Sequence, residues 1–269
     1  MFSVLILTLN EAHNLPGCLA SVQPCGDIVV LDSGSTDGTS DIARQHGARV
    51  FSRPFDNFAG QRNFARDHIA FKFDWVFHLD ADEVMTPELH EECSRVAGSQ
   101  DTKHDGWLVA PKMYFQGRWI PHCTDFPAYQ ARFVHARRFE FIQVGHGQRE
   151  ALHMRMGRLR SNYLHDLSAE GTDAWLAKHR RYAHEEAMAS RQSNGEVRWN
   201  ELLHKDALVR RRALKRLSQR LPCRPQIRFL YQYLLRGGML DGLPGYRYCR
   251  LLMQYERFID EAMRAQGKR

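Results

Sequence analysis

The chain has no run approaching the roughly 20 consecutive apolar residues that a membrane-spanning helix requires. Its start, Met1-Phe2-Ser3-Val4-Leu5-Ile6-Leu7, lacks the basic beginning and small-residue cleavage site of a secretory signal. A cytoplasmic location is the resulting expectation. Cysteine is sparse and scattered: Cys18, Cys25, Cys93, Cys123, Cys223 and Cys249 include no Cys-x-x-Cys pair, which argues against both a zinc site and a disulfide framework. No internal repeat or low-complexity linker divides the 269 residues, a length that suits one large domain or one domain with an appendage. An apolar content of 43% and a charged content of 26% belong to an ordinary globular protein, so composition excludes a disordered or fibrous chain.

Negative charge is scarce only in the second part. Residues 1–100 hold 7 Lys and Arg against 14 Asp and Glu, whereas the remainder holds 31 against 17, so the overall charge of +7 conceals an acidic front and a basic back. A basic half serves nucleic acid, an anionic membrane or a phosphorylated substrate, and charge alone does not choose among them. Nucleic acid is disfavoured, because no helix-turn-helix, zinc finger or aromatic RNA-binding strand is recognisable and the acidic front repels phosphates.

Short β-branched apolar runs alternate with helical patterns. Ser3–Leu7, Asp27–Asp32, Ala48–Phe51 and Trp75–Leu79 read as strands, the first two buried on both faces. Helices are expected from Asn14 to about Val22, over Thr39–His46 and over Asn63–Phe71. Such alternation predicts a parallel sheet wound with helices on both faces. Beyond residue 105 come strands at Gly106–Ala110 and Gln130–Val134, then a Gly- and His-rich stretch, and from Thr172 a helical part containing the basic piece Lys205–Arg220. The expected division is therefore 1–168 and 169–269.

In wound sheets ligands lie beyond the carboxyl ends of the strands. Three polar turns fall at such ends: Asn10-Glu11, Asp32-Ser33-Gly34 and Asp80-Ala81-Asp82. In the last, with Glu83, three carboxylates crowd into four residues and repel unless a metal ion, a proton or solvent relieves them. Two carboxylates two residues apart can share Mg²⁺ or Mn²⁺ with the oxygens of a diphosphate. Taken alone, the Asp-x-Asp serves equally as a solvated acidic turn before a helix starting near Thr86-Pro87-Glu88. Asp32 offers an acceptor to a base or ribose hydroxyl and Gly34 a tight turn, while Asp37 reads as a helix cap. Arg62 has the planar fork that suits a phosphate, and a surface arginine is the alternative.

The order of Thr8-Leu9-Asn10-Glu11, Val30 to Thr39 (VLDSGSTDGT), Gly60 to Ala65 (GQRNFA) and Leu79-Asp80-Ala81-Asp82-Glu83 resembles the family 2 glycosyltransferases of GT-A fold. More narrowly it resembles the branch similar to lipopolysaccharide core glycosyltransferases. The likeness continues more loosely through Gly117-Arg118-Trp119, Tyr129-Gln130, residues 145–150, Tyr163-Leu164-His165 and residues 178–182. It implies an α/β, GT-A-like, mostly parallel wound sheet with a helical, basic C-terminal extension. It also implies that Thr8, Asn10, Glu11, Asp32, Ser33, Gly34, Arg62, Asp80 and Ala81 line a nucleotide-sugar site, and that Asp80 and Asp82 carry a divalent cation, Mg or Mn.

Family 2 enzymes generally invert the anomeric centre, which calls for a general base on the acceptor side. Many relatives carry an acid just before a Tyr/Trp-Gln/Lys step, where this chain has Pro127-Ala128-Tyr129-Gln130. Asp125 and Glu150 remain as candidates, with Glu150 preferred and Asp82 assisting through the metal. His146 and His165 suit either ligand contact or a structural role, the latter being favoured. The expected partners are a nucleotide-sugar donor, a glycan or lipid-linked saccharide acceptor, and an anionic inner-membrane surface touched by residues 203–238. Two other classes compete: a nucleotidyltransferase, which lacks here a Gly-rich Arg/Lys loop after the first strand, and a non-catalytic glycan- or membrane-binding protein.

Overall fold

A computed structural model describes residues 1–99, 103–144, 147–169, 171–192, 201, 203–204, 210, 223–265 and 267. The basic piece Lys205–Arg220, Arg210 excepted, and His146 lie outside the described residues.

The chain runs β1 (Ser3–Thr8), α1 (Leu15–Ser21), β2 (Asp27–Asp32), α2 (Thr39–Gln45), β3 (Arg49–Ser52), α3 (Phe58–His68), β4 (Trp75–Asp80), β5 (Glu83–Met85), α4 (Pro87–Gly98), β6 (Gly106–Phe115) and β7 (Arg118–Trp119). It continues through β8 (Gln130–His135), β9 (Phe141–Val144), β10 (Gly147–Glu150), β11 (Met156–Asp166), α5 (Gly171–Gln192), α6 (Arg224–Leu230) and α7 (Gly242–Ala265). Two compact units result, one of residues 1–114 and 126–169, the other of residues 115–125 and 170–269.

In the first unit the strands order as β3-β2-β1-β4-β8-β6-β11-β5, with β9 and β10 as a separate antiparallel pair. The run β3-β2-β1-β4 is parallel throughout, while β8 enters antiparallel between β4 and β6 and β11 returns parallel to β6. This is the α/β, mostly parallel wound sheet expected. Strand β1 shows why its sequence carries almost no polar residue. Val4 and Ile6 pack with Leu15 and Leu19 of α1 on one face, and Leu5 and Leu7 pack with Ala65 and Ile69 on the other. A strand alternates its side chains between faces, so a layer on each side leaves no solvent-facing register.

Helix α3 begins five residues before the expected Asn63, because the Asn57 side chain accepts from the Gly60 amide at 2.7 Å and caps it. It also stops at His68, where Ile69 turns extended (φ −108°, ψ 121°). The acidic turn does not pass straight into a helix either: Glu83–Met85 forms β5 against β11, and α4 starts at Pro87 behind a Thr86 cap.

The second unit is helical apart from β7. Ala183 of α5 packs with Phe258 and Ile259 of α7, and Arg180 lies over the Phe258 ring. Its segment 115–125 is tied down by the buried Asp241 carboxylate, which accepts from the amides of His122 and Cys123 at 3.1 and 2.9 Å. Among the described residues no helix is long and apolar enough to cross a membrane.

Candidate functional site

Strand register assembles the site. Thr8 stands opposite Asp32 and Leu7 opposite Asp80, so the three turns singled out from the sequence leave the sheet side by side at its carboxyl edge.

The first two turns are laced together. Asp32, 3% exposed, accepts from Thr8 Oγ1 at 2.9 Å, from the Gly34 and Ser35 amides at 3.1 and 2.9 Å, and from the Ser35 hydroxyl. Burial alone would raise its pKa, but these donors outweigh it and hold the carboxyl below its ordinary value. Gly34 permits the wrap by adopting φ +98°, open to glycine and strained for other residues. Ser33 donates its amide to the Thr8 carbonyl, and Gln61 reaches its hydroxyl at 3.4 Å. Asn10, itself left-handed at φ 57°, accepts from the Thr36 amide and donates its own amide to Ser35. The Glu11 amide donates to Thr39 Oγ1, and the Glu11 carboxylate accepts from Asn14 at 2.9 Å. Asp37 accepts from the Ala12 amide and from both the amide and the hydroxyl of Thr39, so it braces the Asn10 turn as well as the start of α2.

The third turn answers the question of what relieves its crowded carboxylates: two buried arginines. Arg62 donates to Asp80 Oδ1 at 2.9 Å. Arg132 donates to Asp80 Oδ2 at 3.2 Å, to Glu83 Oε1 at 2.7 Å and to the His78 carbonyl at 3.3 Å. Glu83 in turn accepts from the Asp80 amide at 2.8 Å, closing the turn. Burial works to raise the Asp80 pKa, yet the Arg132 and Arg62 charges hold it well below the usual carboxylate range. For Glu83 burial wins over Arg132 and, with Asp80 and Asp82 nearby, pushes the carboxyl up to about 7. Asp82 keeps partial exposure and faces His165 Nε2 at 3.3 Å. Burial opposes protonation of that imidazole, but Asp82, Glu83 and Asp80 outweigh it and raise the pKa. Ala81 is buried in the core beside Leu79, which turns its neighbours outward.

Arg62 thus sits beneath the acids, 2% exposed, with Nε and Nη1 buried and lacking hydrogen-bond partners. The sequence does not single out Arg132, and it marks His165 with a structural role favoured over ligand contact. A signal for Arg132 existed: an arginine inside the apolar run Ala131-Arg132-Phe133-Val134 must find a carboxylate if the strand is buried. Among the described residues no three His, Cys, Asp or Glu side chains group into a ready metal site. Neither acceptor-side candidate belongs to these turns. Glu150 ends β10, half-buried and opposite Phe141. Asp125 belongs to the second unit and pairs with Arg236 at 2.9 Å.

The model of the family described as "Glycosyl transferase family 2" matches residues 3–142. The lipopolysaccharide core biosynthesis glycosyltransferase LpsC of Rhizobium meliloti (strain 1021) is 34% identical over 120 residues, 43% of this chain and 43% of that protein. An uncharacterized glycosyltransferase of Rickettsia bellii (strain RML369-C) is 38% identical over 100 residues, 37% of this chain and 33% of that one. The matched part therefore spans less than half the length of these relatives. Among solved structures, S. aureus TarS 1-349 in complex with UDP aligns over 99% of this chain and 92% of its own, at 16% identity and a TM-score of 0.45.

Proposed function

We propose, from the premise that the chain belongs to glycosyl transferase family 2, that it transfers a sugar from a nucleotide-sugar donor, a UDP-sugar, to a glycan or lipid-linked saccharide. The observation that carries this reading is the register that brings Thr8, Asp32 and Asp80 to one edge of the sheet. Residues 1–168 would bind the donor, leaving 169–269 for the acceptor side. The LpsC likeness supports an acceptor in lipopolysaccharide core or a related envelope polysaccharide.

In this account the Asn10-Glu11 and Asp32-Ser33-Gly34 turns hold the nucleoside. Their hydrogen-bonded lacing makes the pocket rigid before the ligand arrives, which lowers the ordering cost of binding. Asp82, with Asp80 behind it, supplies hard oxygen donors that fit Mg²⁺ or Mn²⁺, and oxygens of the diphosphate and water would complete the set. Such a cation contributes Lewis-acid neutralisation of the departing diphosphate. Arg62 and Arg132 keep Asp80 ionised and fixed, so the donor set is organised before binding. Glu150 takes the proton from the acceptor hydroxyl as that oxygen attacks the anomeric carbon in line, and the configuration inverts.

The test is incubation of the purified protein with UDP-sugars, Mn²⁺ and a core-type saccharide acceptor, following UDP release and the anomeric configuration of the product. An inverted glycoside with UDP released in equal amount supports the reading. Pyrophosphate release instead identifies a nucleotidyltransferase, and donor binding without turnover identifies a non-catalytic protein.

A further inference from the structure

The second unit exposes apolar side chains that its own fold leaves uncovered. Between residues 223 and 250 the chain forms α6, a π-helical turn (Tyr231–Leu235), a 3-10 turn (Gly238–Asp241) and the start of α7. Leu230, Leu234, Leu235, Met239, Leu240 and Leu243 are all exposed there, Leu235 to 80% and Leu240 to 62%. Isolated exposed leucines need no explanation, but a close succession of them marks an interaction surface. Leu230 and Leu234 follow at helical spacing, and Leu235, next to Leu234 in the π-turn, is the most exposed of the six.

Charge identifies the occupant. The same stretch carries five arginines, Arg224, Arg228, Arg236, Arg247 and Arg250, against a single acid, Asp241. That acid is 2% exposed and spends itself on His122 and Cys123, so the outer face carries no exposed carboxylate from this stretch. Arg224 is likewise used internally, on Glu256 at 2.6 Å, and Arg236 is paired with the Asp125 carboxylate at 2.9 Å. Arg247, which donates to Gln116 Oε1 at 2.7 Å, and Arg250 remain exposed, and Arg250 sits over the Tyr246 ring at 5.9 Å. Leucine and methionine flanked by arginine and tyrosine is the chemistry of an interfacial membrane helix: the apolar groups enter the headgroup boundary and the cations stay with the lipid phosphates.

We infer that residues 227–250 of the second unit form a docking surface for an anionic bilayer, with Leu234, Leu235 and Leu240 as its inserting side chains and Arg247 and Arg250 as its phosphate contacts. The surface holds the protein on a membrane without spanning it, since no described helix is long and apolar enough to do so. A lipid-linked acceptor would be met at that interface. The docking surface stands independently of the donor chemistry.

The test is flotation of the full chain with vesicles of pure phosphatidylcholine and with vesicles of equal parts phosphatidylglycerol and phosphatidylcholine. The full chain is expected to float with the anionic vesicles only. Leu234→Ser/Leu235→Ser/Leu240→Ser and Arg247→Glu/Arg250→Glu should each lower the bound fraction about tenfold, the second more steeply at low salt. All of these side chains are exposed, so unchanged thermal unfolding of the variants is expected, and UDP binding measured without vesicles should equal that of the parent. Equal binding of parent and both variants overturns the assignment of this surface, and absence of binding to anionic vesicles overturns membrane docking. A concentration-dependent dimer abolished by the leucine changes identifies a second copy of the chain as the occupant and overturns it too. Loss of UDP binding in parent and variants alike would count against the proposed transferase and leave the docking result standing.

Discussion

Arg132 donates from Nη2 to Glu83 Oε1 across 2.7 Å, with both side chains buried. The same guanidinium nitrogen reaches Asp80, so one cation serves two carboxylates of the candidate metal turn. Arg132→Met takes the shared arginine from both acids, leaving Arg62 on Asp80 and His165 near Glu83, and removing one partner of a buried pair costs about 3–5 kcal/mol. Urea unfolding should show a loss of that size, and Arg132→Met/Glu83→Leu should recover most of it. A single-variant loss below about 1 kcal/mol, the range of exposed pairs, would contradict the buried network.

Arg62 makes a different prediction because it touches Asp80 alone among the acids. In the parent protein without UDP the arginines already neutralise the cluster, so a chelator should barely move its thermal unfolding until UDP brings the diphosphate oxygens that complete the cation's donor set. Arg62→Ala frees Asp80 Oδ1 from that arginine, lowers the melting temperature by several degrees, and makes Mn²⁺ stabilising even without UDP, because an ion that binds only the folded state shifts unfolding upward. Indifference of the Arg62→Ala protein to Mn²⁺ would separate Asp80 from cation binding.

Away from the site, Asp105 governs part of the acid response. Arg155 grips it through Nε and Nη2, both at 2.9 Å, and with the Arg155 amide holds its pKa down to about 2. A depressed carboxyl stabilises the fold above its unfolded pKa and loses that contribution as pH falls through the folded value. The window therefore runs from about pH 4, the ordinary aspartate value, down to about 2. Asp105→Asn should be less stable at neutral pH and show a flatter stability profile across that window. A parallel profile would mean the ion pair contributes nothing to acid unfolding.

The choice of base separates two variants. Glu150→Gln should lower turnover by about 10²- to 10⁴-fold with the donor KM little changed, the range for loss of a general base. Asp125 is engaged by Arg236, and Asp125→Asn should retain turnover within about threefold, having no proton-transfer role to lose. The reverse ranking in steady-state kinetics would move the base to Asp125.

Sequence revealed most where one rule acted alone. Strands β1, β2 and β4 were legible because burial on both faces makes their runs almost wholly apolar, and the polar residue that ends each one marks the carboxyl edge. The start of α3 was not, since Asn57 caps across Gly60, a residue that ordinarily breaks helices. The second cation of the acidic turn was hidden for a topological reason. Arg132 lies 49 positions beyond Glu83 and reaches it only because β8 enters antiparallel beside β4. Carboxylate repulsion was legible and its relief was expected from a metal, a proton or solvent, whereas the share taken by the buried Arg62 and Arg132 was not foreseen. The base stayed ambiguous because the Pro127-Ala128-Tyr129-Gln130 step carries no acid.

The most direct measurement is calorimetric titration of UDP into the purified protein, with Mn²⁺ and with chelator, on the parent and on Asp82→Asn. Binding that requires Mn²⁺ and is weakened at least tenfold in Asp82→Asn is the expected result, a difference of about 1.4 kcal/mol or more. Tight UDP binding that ignores both the metal and the substitution would contradict the account, because the diphosphate would then lie away from the Asp80–Asp82 turn.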